Sequence, residues 1–273
     1  MEKYKIVFID IDDTLNPSNG ETSAYTKEVM TKLKEKGIKV VVDTGRSASY
    51  AIKKSLEANL SEYVISSNGA EVYNYHTRQE IFSKPIPKDV IKEVYNYCAT
   101  HDLTLILNCL EKRYINIEDY KYNNEPGIYF DDINKVLKDN SINQLVVLSS
   151  NFDRMLVLPS LFKEKFPELK VVHSSQGLIE EKRTKGKEYY HDLVLEYTSK
   201  STGITELLEY LNIDSENAIA IGNGYDDIPM CDAVGTSIAV GNANPTLKEI
   251  ATYITDNVED DGAAKILEKL CLK

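Results

Sequence analysis

The sequence predicts an α/β protein, a doubly wound parallel sheet core interrupted by an inserted α+β domain, and three observations predict it. Apolar runs at 6–9, 38–42 and 63–67 alternate with stretches of helical periodicity, the same alternation resumes at 218–221, and the region 82–187 between them has a different texture. Strand, helix, strand is the grammar of a parallel sheet, because parallel neighbours need a crossover that is usually a helix. At 273 residues the chain has room for two domains, taking about 100 to 200 residues for each.

The first run, Ile6-Val7-Phe8-Ile9, is apolar at four successive positions, as a strand covered on both faces must be. It ends abruptly in Asp10, Asp12 and Asp13. In extended chain, side chains two apart share a side, so Asp10 and Asp12 point together while Ile11 points away. Two carboxylates that close repel unless a cation lies between them or one keeps a proton. That strand end therefore reads as a metal site or an acid/base site, against a solvated strand end or a helix N-cap made by Asp13 or Thr14.

Next, Ser23 or Thr22 caps a helix with Val29, Met30 and Leu33 on one face, stopped by Gly37. The strand at 38–42 closes on Asp43-Thr44-Gly45-Arg46. Ser47 caps a helix expected to bury Ile52 and Leu56, and the strand at 63–67 closes on Asn68-Gly69. Late in the chain the strand at 218–221 ends in Gly222-Asn223-Gly224, and short strands at 237–240 and 253–255 alternate with helical stretches that end in 263–270. Pro85 and Pro87 mark an exit from the sheet and the charged, glycine-containing stretch 182–187 a return. The expected division is a core of 1–82 plus 187–273 and an inserted domain of 83–186, the latter with strands at 103–107, 114–117, 144–149 and 169–173 and helices near 90–98 and 133–137.

With 32 basic against 43 acidic residues the net charge is -11. Such a surface repels nucleic acid and anionic lipid, so neither is an expected partner. No apolar run approaches the roughly 18 residues of a membrane span, and Glu2 and Asp10 come too early for a signal peptide. The expectation is a cytoplasmic protein, a monomer or small homo-oligomer, with a small-molecule partner. Cys98, Cys109, Cys231 and Cys271 stand far apart with no CxxC pair, so neither zinc-ribbon spacing nor a dense disulfide framework is present, and His76, His101, His173 and His191 are scattered and read as structural or surface residues.

Ligands of open α/β sheets bind outside the carboxyl ends of the strands. Those ends supply Asp10 and Asp12, then Thr44, Gly45 and Arg46, then Asn223, Asp226 and Asp227, while Lys200 precedes the helix at 204–211. An acid cluster, a hydroxyl beside a helix start and an ammonium suit a Mg2+ ion and a phosphoryl group. In order and spacing these segments resemble the haloacid dehalogenase (HAD) superfamily phosphatases of the Cof type, class IIB, with a large cap inserted between the second and third motifs. Asp10-Ile11-Asp12-Asp13-Thr14 matches the first motif, Asp-x-Asp-x-Thr, with Asp13 where most relatives have Gly. Thr44-Gly45-Arg46 matches the second, and Lys200-Ser201 keeps the lysine of the third without its usual Gly. The fourth, Gly-Asp-x-x-Asn-Asp, reads Gly222-Asn223-Gly224-Tyr225-Asp226-Asp227, with amide and acid exchanged.

The resemblance implies a Rossmann-like core, a cap that chooses the substrate, and Mg2+-dependent hydrolysis of a small phosphorylated metabolite, a sugar phosphate being favoured. It makes Asp10 the nucleophile of an aspartyl-phosphate and Asp12 the acid that becomes the base. Mg2+ would be held by Asp10, Asp12, Asn223, Asp226 and Asp227, and the phosphate by Thr44, Gly45 and Lys200. Arg46, Asn68 and Arg113 are candidate substrate contacts, and Tyr95, Tyr97, Tyr114, Tyr120, Tyr122 and Tyr129 of the insert could stack on a sugar or ring. Two related alternatives are a phosphomutase with the same cap and motif order, and a non-catalytic phosphate-binding descendant, which the Asn223 departure keeps open. A response-regulator receiver shares the acids, Thr and Lys, but fits in one small domain, has no large insert and is phosphorylated on a middle strand.

Overall fold

Four fully buried residues, Ile6–Ile9, make β1, which lies near the centre of an eight-stranded sheet. The computed structural model describes residues 3–17, 20–118, 120–122, 125–172 and 188–273, with only the backbone at 121, 122, 125 and 126. After β1 come α1 (Ala24–Glu35), β2 (Lys39–Asp43), α2 (Ala48–Glu57), β3 (Tyr63–Ser66), β4 (Glu71–Asn74) and β5 (Gln79–Ser83). There follow α3 (Lys88–Thr100), β6 (Thr104–Cys109), β7 (Lys112–Ile115), β8 (Lys121–Tyr122), β9 (Glu125–Pro126), β10 (Ile128–Tyr129), α4 (Ile133–Asp139), β11 (Gln144–Ser149), α5 (Phe152–Lys165), β12 (Leu169–Val172) and β13 (Tyr189–Leu195). The chain closes with α6 (Lys200–Leu211), β14 (Ala218–Gly222), α7 (Ile228–Asp232), β15 (Thr236–Ala239), α8 (Pro245–Ile250), β16 (Tyr253–Ile254) and α9 (Gly262–Leu267).

Two compact units result, Met1–Phe82 with Ser199–Lys273, and Ser83–Thr198. The first holds the sheet β16-β15-β14-β1-β2-β3-β4-β5, parallel from β16 through β3 and turned antiparallel at β4. Helices crossing over a parallel sheet cover both its faces, which is why β1, β2 and β14 are apolar almost throughout. On one face Ile6, Phe8, Val41 and Ile65 pack against Ile204 and Leu207 of α6. Ser23 caps α1, its side chain accepting from the Thr26 amide, and Val29, Met30 and Leu33 are buried as the spacing predicts. The α2 face differs from expectation. Ala48, Ala51 and Ser55 are buried whereas Leu56 is exposed, because a helix crossing close to β2 and β3 needs small side chains there.

The second unit carries the sheet β10-β7-β6-β11-β13-β12, antiparallel except for the β10–β7 pair. Val90, Ile91 and Val94 of α3, Val136 of α4, and Met155 and Phe162 of α5 join Leu105, Leu107 and Leu145 in its core. The expected return at 187 comes instead at Ser199, because Tyr189–Leu195 is a strand between β11 and β12 that sends Tyr189 and Leu193 into this core. The stretch 182–187 and His173 lie outside the described residues. Helix α5 contains Pro159, which cannot donate to the Met155 carbonyl four residues back. His191 Nε2 donates to that carbonyl instead at 2.9 Å, a structural use of a buried histidine. Tyr95, Tyr97 and Tyr114 pack on the same core, Tyr120 donates to Glu188, Tyr129 is exposed, and the Tyr122 side chain lies outside the described residues.

Candidate active site

The carboxyl ends of β1, β2 and β14 deliver their polar residues to one edge of the first unit's sheet. Register fixes who meets whom: Ile9 lies beside Val42 on β2 and Ile221 on β14, so Asp10 follows β1 alongside Asp43. Asp10 and Asp43 share the face packed by α6, whose first residue is Lys200. Lys200 is buried, with Nζ 2.8 Å from Asp10 Oδ1, 3.1 Å from Asp226 Oδ2 and 2.5 Å from Asp227 Oδ1. An ammonium has three N–H donors, and three carboxylates take them.

Asp227 is expected among the metal ligands, and its geometry gives it another task. Its second oxygen accepts from the amides of Asn223 and Gly224, each at 2.8 Å, so both oxygens are engaged and it serves as a bracket for Lys200. The fold-back needs glycine at 222, where a β-carbon would collide with the Asp227 side chain. The Asn223 carbonyl is fixed by Asn244, whose amide N–H and Nδ2 donate to it at 2.9 and 3.1 Å. The Asn223 side chain bonds to nothing among the described residues.

Asp12 is half-buried and its Oδ2 accepts from Arg46 Nε at 2.9 Å. Arg46, expected as a substrate contact, is thus the partner of Asp12. Asp13 has φ +59° and donates its amide to Asn16, a turn conformation that glycine adopts without strain. Thr44 Oγ1 accepts from the Arg46 amide at 3.2 Å, which leaves its hydroxyl proton free to be given to a ligand.

Behind this loop stands a run of three residues in the left-handed region, Ser67, Asn68 and Gly69, with φ +53°, +56° and +86°. For the two that are not glycine this costs on the order of 1–2 kcal/mol each. The Ser67 amide donates to Arg46 O at 2.9 Å and the Asn68 amide to Thr44 O at 3.1 Å, while the Asn68 side chain lies against Gly45. Asn68 is thus part of the wall behind the Thr44–Arg46 loop. Arg113 belongs to the second unit, where it is buried and donates from Nε to Asn108 Oδ1 at 3.1 Å.

Five carboxyl groups, Asp10, Asp12, Asp43, Asp226 and Asp227, meet two cations, Lys200 and Arg46. Burial pushes Asp10 well above the usual carboxylate range against the pull of Lys200, and Asp227, Asp226 and Asp12 add to the push. Burial raises Asp226 in the same way. For Lys200 burial works against the charge, yet Asp10, Asp226, Asp227 and Asp43 outweigh it and hold the ammonium charged. Asp43 was assigned no task from the sequence, although it closes an apolar run just as Asp10 does. It is fully buried, neither oxygen has a hydrogen-bond partner among the described residues, and burial pushes it well up.

Among the described residues no three His, Cys, Asp or Glu side chains converge as a cation cage. The residues present fit a hard divalent cation differently, through one carboxylate, a main-chain carbonyl and an amide. Asp10 Oδ2 and the Asn223 side chain make no hydrogen bond among the described residues, and they follow neighbouring strands at an end of the sheet where five carboxyl groups meet two cations.

A sequence profile described as haloacid dehalogenase-like hydrolase matches residues 7–267. A putative bifunctional phosphatase/peptidyl-prolyl cis-trans isomerase of Streptococcus pyogenes is 30% identical over 290 residues, covering 99% of this chain but 55% of that protein, so the chain spans about half its length. The 5-amino-6-(5-phospho-D-ribitylamino)uracil phosphatase of Bacillus subtilis is 26% identical, covering 96% of this chain and 94% of its own. The crystal structure of a haloacid dehalogenase-like hydrolase from Bacteroides thetaiotaomicron superposes with a TM-score of 0.83 at 24% identity, covering 98% of this chain and 99% of that one. No helix among the described residues is long and apolar enough to cross a membrane.

Proposed function

Because the chain belongs to the haloacid dehalogenase-like hydrolases, a family of enzymes matched here from 7 to 267, we propose that it is a Mg2+-dependent phosphatase that works through an aspartyl-phosphate. The observation that carries this reading is the Asp10–Lys200 pair, a buried carboxylate held at 2.8 Å by an ammonium beside an engaged Asp12.

Asp10 attacks phosphorus, forming an O–P bond while the bond to the leaving alkoxide breaks. Asp12 gives that alkoxide a proton, then takes one from the water that attacks phosphorus and releases Asp10. Arg46 on Oδ2 fixes the Asp12 carboxyl and leaves Oδ1 to carry the proton. Lys200 holds Asp10 in line, and the Thr44 hydroxyl with the amides that follow it binds the phosphoryl oxygens. A carboxylate brought to about 4 Å from a phosphate meets repulsion of about 4 kcal/mol per charge pair at an effective dielectric near 20. Asp10, the Asp12 carbonyl and Asn223 would hold Mg2+, which would supply positive charge against that repulsion.

The second unit, Ser83–Thr198, serves as the cap that selects the substrate, with Arg113 among its candidate contacts. The substrate class is a small phosphorylated metabolite with a sugar or polyol chain, a reading that the Bacillus subtilis relative named for a phosphoribityl compound supports. Purified protein should hydrolyse para-nitrophenyl phosphate with Mg2+ and lose that activity in EDTA. A panel of phosphorylated metabolites then ranks the natural class. A protein inert toward all of them with Mg2+ present would overturn the reading.

A further inference from the structure

Glu71, the first residue of β4, has no part in the four motifs, yet it is a buried carboxylate directly behind the phosphate-binding loop. In the β3–β4 register it faces Ser66, and its Oε2 accepts from Ser66 Oγ at 2.8 Å and Ser67 Oγ at 3.0 Å. Both serines are fully buried. These bonds grip the start of the left-handed run Ser67-Asn68-Gly69, two of whose residues avoid that conformation unless held.

The run touches two parts of the site at once. On one side its amides bond to the Arg46 and Thr44 carbonyls and the Asn68 side chain lies against Gly45. On the other, Gly69 packs so closely on the start of α6 that a β-carbon there would collide with the Ser199 carbonyl, next to Lys200. The Cα of Gly69 lies 3.3 Å from where a β-carbon would stand on Gly203, one turn into α6. The three residues thus form a wedge between the loop that grips the phosphate and the helix that carries the ammonium.

We propose that Glu71 is a positioning residue for catalysis, its carboxylate locking the Ser67–Gly69 wedge that sets the spacing between Thr44 and Lys200. The proposal rests on the phosphatase reading for its kinetic arm and on geometry alone for its structural arm. A carboxylate accepts from both hydroxyls with one oxygen. Alanine removes the acceptor and glutamine keeps one carbonyl oxygen in the same place.

The test compares the full-length parent with Glu71→Ala and Glu71→Gln at a temperature well below unfolding. With para-nitrophenyl phosphate and Mg2+, kcat of Glu71→Ala should fall about 10- to 100-fold, as misplacement of a site by an ångström does, and inhibition by inorganic phosphate should weaken. Glu71→Gln should recover most of both. By hydrogen exchange, the Ser67 and Asn68 amides should exchange faster in Glu71→Ala while those of β1 stay as in the parent. A variant that only melts earlier, with kcat and phosphate inhibition within twofold of the parent, overturns the proposal. Unchanged exchange at Ser67 and Asn68 overturns it whatever the parent hydrolyses, whereas an inactive parent with locally faster exchange overturns the phosphatase reading and leaves the lock supported. If Glu71→Ala does not fold, Ser67→Ala, which removes one of the two donors, is read by the same measures.

Discussion

The ends of β1 and β14 lie side by side, Ile9 against Ile221, and both open into carboxylates, yet they use them in opposite ways. At the end of β1, Asp10 and Asp12 each give one oxygen to a cation and keep the other unengaged. At the end of β14, Asp227 has both oxygens taken, one by Lys200 and one by two amides, while Asp226 faces the same ammonium and Asn223 carries no charge. Residue type does not separate the proposed reagents from the scaffold here. The number of lone pairs already committed does.

The sharpest way to break this contrast is Asp10→Asn, which keeps the shape and removes the proposed nucleophile. Turnover of para-nitrophenyl phosphate should fall by about four orders of magnitude or more, and undiminished hydrolysis would sink the assignment. On the β14 side, Asp227→Asn should act on stability rather than on metal binding. Lys200 keeps Asp10 and Asp226, so the loss is one charged hydrogen bond of three, about 1–3 kcal/mol, and thermal denaturation should shift down by about 2–10 °C while Mg2+ affinity by calorimetry moves little. A larger change in affinity than in stability would make Asp227 a ligand after all.

Asn223→Asp sharpens the contrast from the other direction by moving a charge onto the unengaged position. Mg2+ should bind roughly tenfold more tightly, about 1.4 kcal/mol by calorimetry. Equal or weaker binding would show that Asn223 is no ligand. The last comparison concerns stability alone and belongs to Asp43, the neighbour of Asp10 with no hydrogen-bond partner among the described residues. Its folded-state carboxyl lies well above the ordinary value of 3.8 because burial opposes ionisation, so its cost to stability is absent below that value and grows as pH rises above it. Metal-free Asp43→Asn should therefore be more stable than the parent at pH 7 by about 1–3 kcal/mol, with the gain shrinking toward nothing near pH 4. An equal gain at both pH values would mean that packing, not charge, is responsible.

Much of the core was legible because its strands are buried on both faces and so read as uninterrupted apolar runs. Each such run ends where the site begins, which is why Asp10, Thr44 and Asn223 could be found by following them. What escaped needs partners distant in sequence. Pro159 and the exposed Leu156, Val157 and Leu161 blur the period of α5, and only the fold brings His191 to the carbonyl that Pro159 leaves open. The position of the return hid for a similar reason, since Tyr189–Leu195 belongs to the second unit only through its pairing with β11 and β12. The separate tasks of Asp226 and Asp227 depend on a fold-back that no spacing rule announces, and Glu71 looks like any polar residue opening a short strand until its serines are seen.

Gly222 links three of these positions into one character of descent. A methyl group there would displace Asp227, and Asp227 holds one of the three N–H bonds of Lys200. Positions 222, 227 and 200 are therefore free to drift only together. A lineage that has given up the lysine can lose the glycine without further harm, whereas one that loses the glycine first disarms the lysine while still encoding it. A larger residue at 222 should thus loosen the hold of Asp227 on Lys200 even where every acid and the lysine are still spelled out.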